Sequence, residues 1–129
     1  MPAVGTISIL DNKGTPVAHV FTPQNVSGAI AKFTNTAASI PAGRETLSVE
    51  LATPVSATAA YRLKMKYVFP TIAAVNSVDT VVRTSSADLV INFSQSSTLQ
   101  ERKDTMRIVA NSLLNASVMS VGDNLETIY

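Results

Sequence analysis

Arg62, Lys64 and Lys66 stand at alternate positions in YRLKMKY, Tyr61 to Tyr67. In an extended strand that spacing puts the three cations on one side and Tyr61, Leu63, Met65 and Tyr67 on the other. A row of fixed positive charge attracts phosphate with a strength that depends on salt. The chain as a whole does not: ten Lys and Arg against nine Asp and Glu leave a formal charge of +1, so anion binding has to come from local placement. Lysines also keep exposed strands soluble, so the row counts as a site only in company. Thr46 and Ser48 from the preceding strand, with Ser86, Asp88 and Asn92 from the following one, widen it into a polar sheet face. Such a face can hydrogen-bond a nucleic-acid backbone.

Other chemistry is scarce. The single histidine, His19, alternates with Val17 and Phe21 and reads as an ordinary strand residue. No paired histidines, glycine-rich phosphate loop or nucleophile motif accompanies it, so neither an enzyme nor a cofactor is expected. The chain has no cysteine, which excludes disulfides and thiolate metal sites, and no metal is expected. The acidic residues have local roles: Asp11 in a turn, Glu101 in a helix cap, Asp104 on a solvated helix face. MPAVGTISIL lacks a cationic stretch followed by a long apolar one, and no segment approaches the ~20 apolar residues that span a bilayer. No membrane partner is expected, and the chain reads as cytosolic when made.

The elements that position the face follow from periodicity. With 129 residues the chain fits one domain. TISILDNKGTPVAHVF reads as a hairpin turned by Asp11 to Gly14. Gly28 to Asn35 forms a third strand, and TAASIPAGR connects it to Thr46–Thr53, which Pro54 ends. Tyr61 to Val68 is the antiparallel neighbour of that strand. Residues 71–82, apolar but without clean alternation, read as a long loop after Pro70 or as the tip of a long hairpin. Arg83 to Ser94 alternates again, with Ala87, Leu89, Ile91 and Phe93 on one side.

The period then changes. Thr98 and Glu101 have capping-box spacing, and Leu99, Met106, Val109, Ala110 and Leu113 form an apolar stripe on a helix that breaks near NASVMSVGDN before a second, shorter one. Strands first and helices last is an α+β order. Aromatics make up only 5% of the chain, so the core is expected to rely on Val, Ile, Leu and Ala, and a thin sheet of this kind to need a partner.

So arranged, the sequence resembles the coat proteins of the small single-stranded RNA bacteriophages, the leviviruses. The resemblance rests on LDNKGT, SGAIAKF, SVELATP with Pro54, AAYRLKMKYVFP, and above all RTSSADLVINFSQSSTLQER, and DNLETIY resembles a member's C-terminus. The motifs are short but colinear over nearly the whole chain. The resemblance implies an N-terminal hairpin (1–22), a five-stranded antiparallel sheet (28–95) and two C-terminal helices (98–129). Two such subunits would interlock as a homodimer with a continuous ten-stranded sheet, each covering the other's sheet with its helices. Dimers would then build an icosahedral shell around single-stranded genomic RNA.

The resemblance also implies roles for individual residues. Arg62, Lys64 and Lys66 would face RNA. Ser48, Glu50 and Lys64 would line a pocket for an unpaired adenine of an RNA hairpin, with Ala29 on the neighbouring surface, and Thr46 of the polar face would also meet RNA. Ser86 and Asp88 would take the places of a base-stacking tyrosine and a polar base contact. Two departures stand out: Ser86 cannot stack, forfeiting about 1–3 kcal/mol, and Glu50 puts a carboxylate where a small hydroxyl is usual. Altered or weak hairpin specificity is therefore expected on top of nonspecific RNA binding. Thr71, Ile72, Val75, Asn76, Val78 and Val81 would meet other subunits around the symmetry axes. Leu99, Met106, Val109, Ala110 and Leu113 would bind the partner's sheet. A dimeric regulator of single-stranded RNA that builds no shell would use the same basic face, and particle mass separates the two.

Overall fold

A computed structural model describes residues 4–127. The chain divides into two compact units, a sheet unit ending at Asn92 and a helix unit beginning at Phe93.

The sheet unit is a six-stranded antiparallel meander in chain order: β1 (Ile7–Leu10), β2 (Ala18–Ser27), β3 (Ile30–Asn35), β4 (Glu45–Ala52), β5 (Tyr61–Val75) and β6 (Val78–Phe93). This differs from a hairpin set apart from a five-stranded sheet. The physical reason lies in the ten residues of β2, which are enough for two partners. Its first half pairs with β1, Ile7 opposite Phe21, and its second half with β3, Ser27 opposite Ile30. Between them the register shifts from Pro23 to Asn25. Proline has no N–H for the ladder, and a bulge at that point lets the strand bend from one pairing into the next.

The turns follow their residues. Asp11 accepts from the backbone N–H of Lys13 and of Val17 (2.9 Å), closing the first hairpin, and Gly28 takes φ 58° between β2 and β3. A single 3-10 turn, Pro41–Gly43, leads into β4.

Of the two readings of residues 70–82, the structure has the hairpin tip and not an open loop. β5 runs on through Pro70 to Val75, Asn76 and Ser77 form the whole turn, and β6 begins at Val78. Both turn residues have positive φ, 51° and 65°, as a two-residue hairpin turn of the primed type requires. The alternation is blurred here because both faces of the ribbon are mostly exposed, so no face selects for apolar residues.

The core also departs from expectation. Its most buried members are Phe21, Phe33, Leu47 and Ile91, and Tyr67 and Phe69 pack against the first three with stacked rings 5.7 Å apart. Few aromatics are present, but the sheet gathers most of them on one face, where each buries more area than a Val or Ala could.

In the helix unit, α1 (Leu99–Leu113) starts with the expected capping box. Thr98 Oγ1 accepts from the Glu101 N–H, and the Thr98 N–H donates to Glu101 Oε2 at 2.7 Å. Asn115 caps α2 (Ala116–Asn124) by accepting from the Ser117 N–H. No described residue of either helix is buried.

Candidate functional site

Strand register decides which side chains share the polar face. Ile30, Glu50 and Lys64 lie directly across from one another on β3, β4 and β5; Lys32, Ser48 and Lys66 form the next row, and Thr34, Thr46 and Val68 the third. Arg62 lies opposite Ala52 and donates from Nε to Asn92 Oδ1 at 3.2 Å, which ties β6 to the same side. The opposite face carries the rows Phe33, Leu47, Tyr67 and Ala31, Val49, Met65. The expected segregation of cations from apolar side chains is therefore present, fixed by a period of two carried through three paired strands.

Two adjoining depressions mark this face. One, of about 250 Å³, is lined by Ile30, Lys32, Ser48, Glu50, Lys64 and Asp88, among others. The second, of similar volume, takes in Lys32, Thr46, Ser48 and Lys66, with Gln24 at its side. Gln24 Oε1 accepts from the buried Thr34 hydroxyl at 2.8 Å. The structure thus brings together Thr46, Ser48, Glu50, Lys64, Lys66 and Asp88.

Three of the expected residues line neither depression. Ser86 is exposed on β6. Ala29 sits in the turn before β3, where its carbonyl accepts from the Leu51 N–H, and Ile30 takes the place beside the cavity. Arg62 is exposed on the same face as Lys64 and Lys66, with its Nε on Asn92.

Lys32 is the residue that sequence reasoning missed. Its signal was available: in AIAKF it alternates with Ala31 and Phe33, as Lys64 does with Leu63 and Met65. With it, the face carries three lysines around one half-buried carboxylate, Glu50. Although Glu50 and Lys64 are register partners, no ion pair within 4 Å joins them among the described residues.

His19 is more than a strand residue. It bridges Asp11 and Glu45 at one end of an apolar cavity of about 500 Å³ lined by Ile9, Leu10, Phe21, Tyr67 and Phe69. Burial among these neighbours pushes the Tyr67 hydroxyl above the usual phenol range. Among the described residues no cluster of His, Cys, Asp and Glu is suited to hold a metal ion, and no helix is long and apolar enough to cross a membrane.

Of the residues expected to meet other subunits, Val75 and Val78 flank the hairpin turn and are exposed, Asn76 is in the turn, and Thr71 and Val81 are half-buried. Ile72, also half-buried, lies against Gly43. On the helices, Leu99, Met106, Ala110 and Leu113 are exposed and Val109 is half-buried.

The whole chain has known counterparts. It matches the levivirus coat protein family over residues 2–129. Among solved structures it is similar to the virus-like particle of Beihai levi-like virus 21, at 30% identity and a TM-score of 0.88 over 99% of both chains. It is also similar to the virus-like particle of bacteriophage ESE058, at 25% identity and a TM-score of 0.87 over 99% of this chain and 100% of that one. The bacteriophage GA capsid protein shares the fold at 11% identity, with a TM-score of 0.74 over 94% and 95% of the two chains. No curated protein sequence matches the chain. The agreement of family, fold and length shows that this chain belongs to the levivirus coat protein family, a structural component of the virion capsid and not an enzyme.

Proposed function

We propose that the two units act as one coat-protein domain and that two copies interlock as a dimer. The apolar residues of α1 from each copy cover the other copy's sheet, making one ten-stranded sheet. Dimers then close into an icosahedral shell in the cytoplasm of a bacterial host, with the polar face turned inward onto single-stranded RNA. Supporting the dimer, Leu99, Ile108 and Leu113 are 60%, 68% and 53% exposed within one chain. Leaving such side chains in water forfeits about 1.5–3 kcal/mol each. Val75 and Val78, beside the hairpin turn, are suited to contacts between dimers.

The observation that carries the RNA reading is the register itself, which sets Lys32, Lys64 and Lys66 on the face opposite Phe33, Leu47 and Tyr67. Lysines neutralise phosphates and release counterions, Ser48 and Thr46 supply hydrogen bonds, and no enzymatic step is involved. An RNA hairpin bound there would couple packaging to repression of translation. The test is to express the full chain and measure particle mass and nuclease-resistant RNA together. Megadalton particles that protect RNA are expected. A stable dimer-sized species that binds RNA without forming shells would favour the regulator, and RNA-free shells would overturn the role of the basic face.

A further inference from the structure

The polar face holds two carboxylates that a phosphate-binding surface does not call for, Glu50 and the exposed Asp88. Glu50 is half-buried in the cavity of about 250 Å³, between Ile30 on one side and Lys64 on the other. It makes no hydrogen bond or ion pair among the described residues, so both carboxylate oxygens are unspent. A carboxylate here repels phosphate, and it is held among three lysines that attract it. Its chemistry suits donors that come in adjacent pairs, because an ionised carboxylate only accepts and can accept at both oxygens at once.

We propose that Glu50 makes this cavity a guanine-selective subsite for one unpaired base of the bound RNA, an inference that rests on the RNA reading of the face. The cavity is smaller than the ~300–1,000 Å³ of pockets that take drug-sized ligands, which suits a single ring system. Of the four bases, guanine alone offers two neighbouring donors, N1–H and N2–H, on one edge. Adenine sets its N6–H beside the N1 lone pair and cytosine its N4–H beside N3, so each satisfies one carboxylate oxygen and repels the other. Uracil's N3–H is flanked by carbonyls.

Ile30 and Val90 line the cavity with aliphatic surface, and no aromatic ring is present to stack on. Discrimination therefore falls on the hydrogen bonds, while Lys32, Lys64 and Lys66 hold the flanking phosphates. Asp88, the other carboxylate in the cavity, is exposed and hydrated, which makes it the weaker reader.

The test uses the full chain kept in its unassembled form and four RNA hairpins that differ only in one unpaired nucleotide. Affinities are measured at several salt concentrations. Guanine is expected to bind about tenfold more tightly than the other three. Glu50→Gln should abolish that preference and move it toward adenine, whose donor and acceptor edge an amide matches, with the salt slope unchanged. Asp88→Asn should leave the preference in place. Equal salt-dependent affinity for all four hairpins would overturn the guanine subsite and leave the RNA face standing. A guanine preference that survives Glu50→Gln, or is lost with Asp88→Asn, would overturn the assignment to Glu50. Absence of salt-dependent binding to any hairpin would overturn both readings.

Discussion

His19 Nδ1 lies 2.7 Å from Glu45 Oε2, joining β2 to the start of β4 across 26 residues of sequence. The other ring nitrogen, Nε2, lies 3.1 Å from Asp11 Oδ2, in the hairpin turn. Glu45 also accepts from Asn35 Nδ2 at 3.0 Å. In its protonated form the imidazole donates from both nitrogens and links two carboxylates that would otherwise repel each other. The two carboxylates hold the His19 pKa above its ordinary value, Glu45 contributing most. Hydrogen bonds led by the Val17 N–H hold the Asp11 carboxyl well below the usual carboxylate range.

These directions fix the sign of a pH dependence. The raised folded pKa of His19 means that its contribution is complete below the unfolded value near 6.5 and is lost as pH rises through the folded value. The lowered pKa of Asp11 means the reverse at the acid end: its contribution is present above about 3.9 and lost as pH falls through the folded value. Denaturant melts of His19→Ala against the parent chain should therefore show a loss of about 1–2 kcal/mol at pH 5.5. The gap should narrow by pH 9. A pH-independent gap would mean that His19 acts by packing alone.

Lys64 carries the second prediction. Its row partner is Glu50 and its strand neighbour on the same face is Lys66, so removing it deletes positive charge without touching the core face. Lys64→Ala should lower the RNA content of purified particles and reduce the salt slope of RNA binding by about 1. Dimer formation should be unaffected. Unchanged RNA content, read from the ratio of absorbance at nucleic-acid and protein wavelengths, would remove Lys64 from the interface.

How much of this was legible depended on whether a face was buried. Tyr61 to Val68 could be read because one side packs on Leu47 and the other meets water, so the alternation is sharp. The same strand beyond Pro70 could not, since few of its side chains are selected for burial. Thr98 and Glu101 announced the helix start because a cap is a local contact. The link from His19 to Glu45 left no trace in sequence spacing, because it depends on β2, β3 and β4 lying side by side. Glu50 was recognisable only against the resemblance, and its freedom from Lys64 only in the structure.

Ser77 carries the third prediction. It sits at φ 65°, a left-handed conformation that costs an ordinary L-residue about 1–2 kcal/mol. Asn76 tolerates its own φ of 51° better, and glycine at the second position gives the pair most favoured in this turn. Ser77→Gly should therefore stabilise the sheet unit, by about 0.5–1 kcal/mol once the added freedom of the unfolded chain is offset. A thermal melt of the unassembled chain checks it. Destabilisation would show that the Ser77 side chain contributes to the turn.

Gly43 sits where the long hairpin crosses the 3-10 turn. It is buried, and a Cβ added there would overlap Cδ1 and Cγ1 of Ile72 on β5. On the other strand of the ribbon, Asp79 Oδ2 accepts from Ser39 Oγ at 2.6 Å, so the connection from 36 to 44 anchors both strands of the hairpin. Gly43→Ala should cost about 1–3 kcal/mol through overpacking, because Ile72 must leave its rotamer or β5 must lift away. In an Ile72→Ala background the added methyl should fill the space that the isoleucine vacates, and the same substitution should cost much less. The double-mutant cycle is needed because either single change can destabilise for its own reasons. A Gly43→Ala penalty equal in both backgrounds would place the strain in the 3-10 turn and not in the Gly43–Ile72 contact. A penalty that shrinks would establish this contact as what holds the base of the hairpin in place.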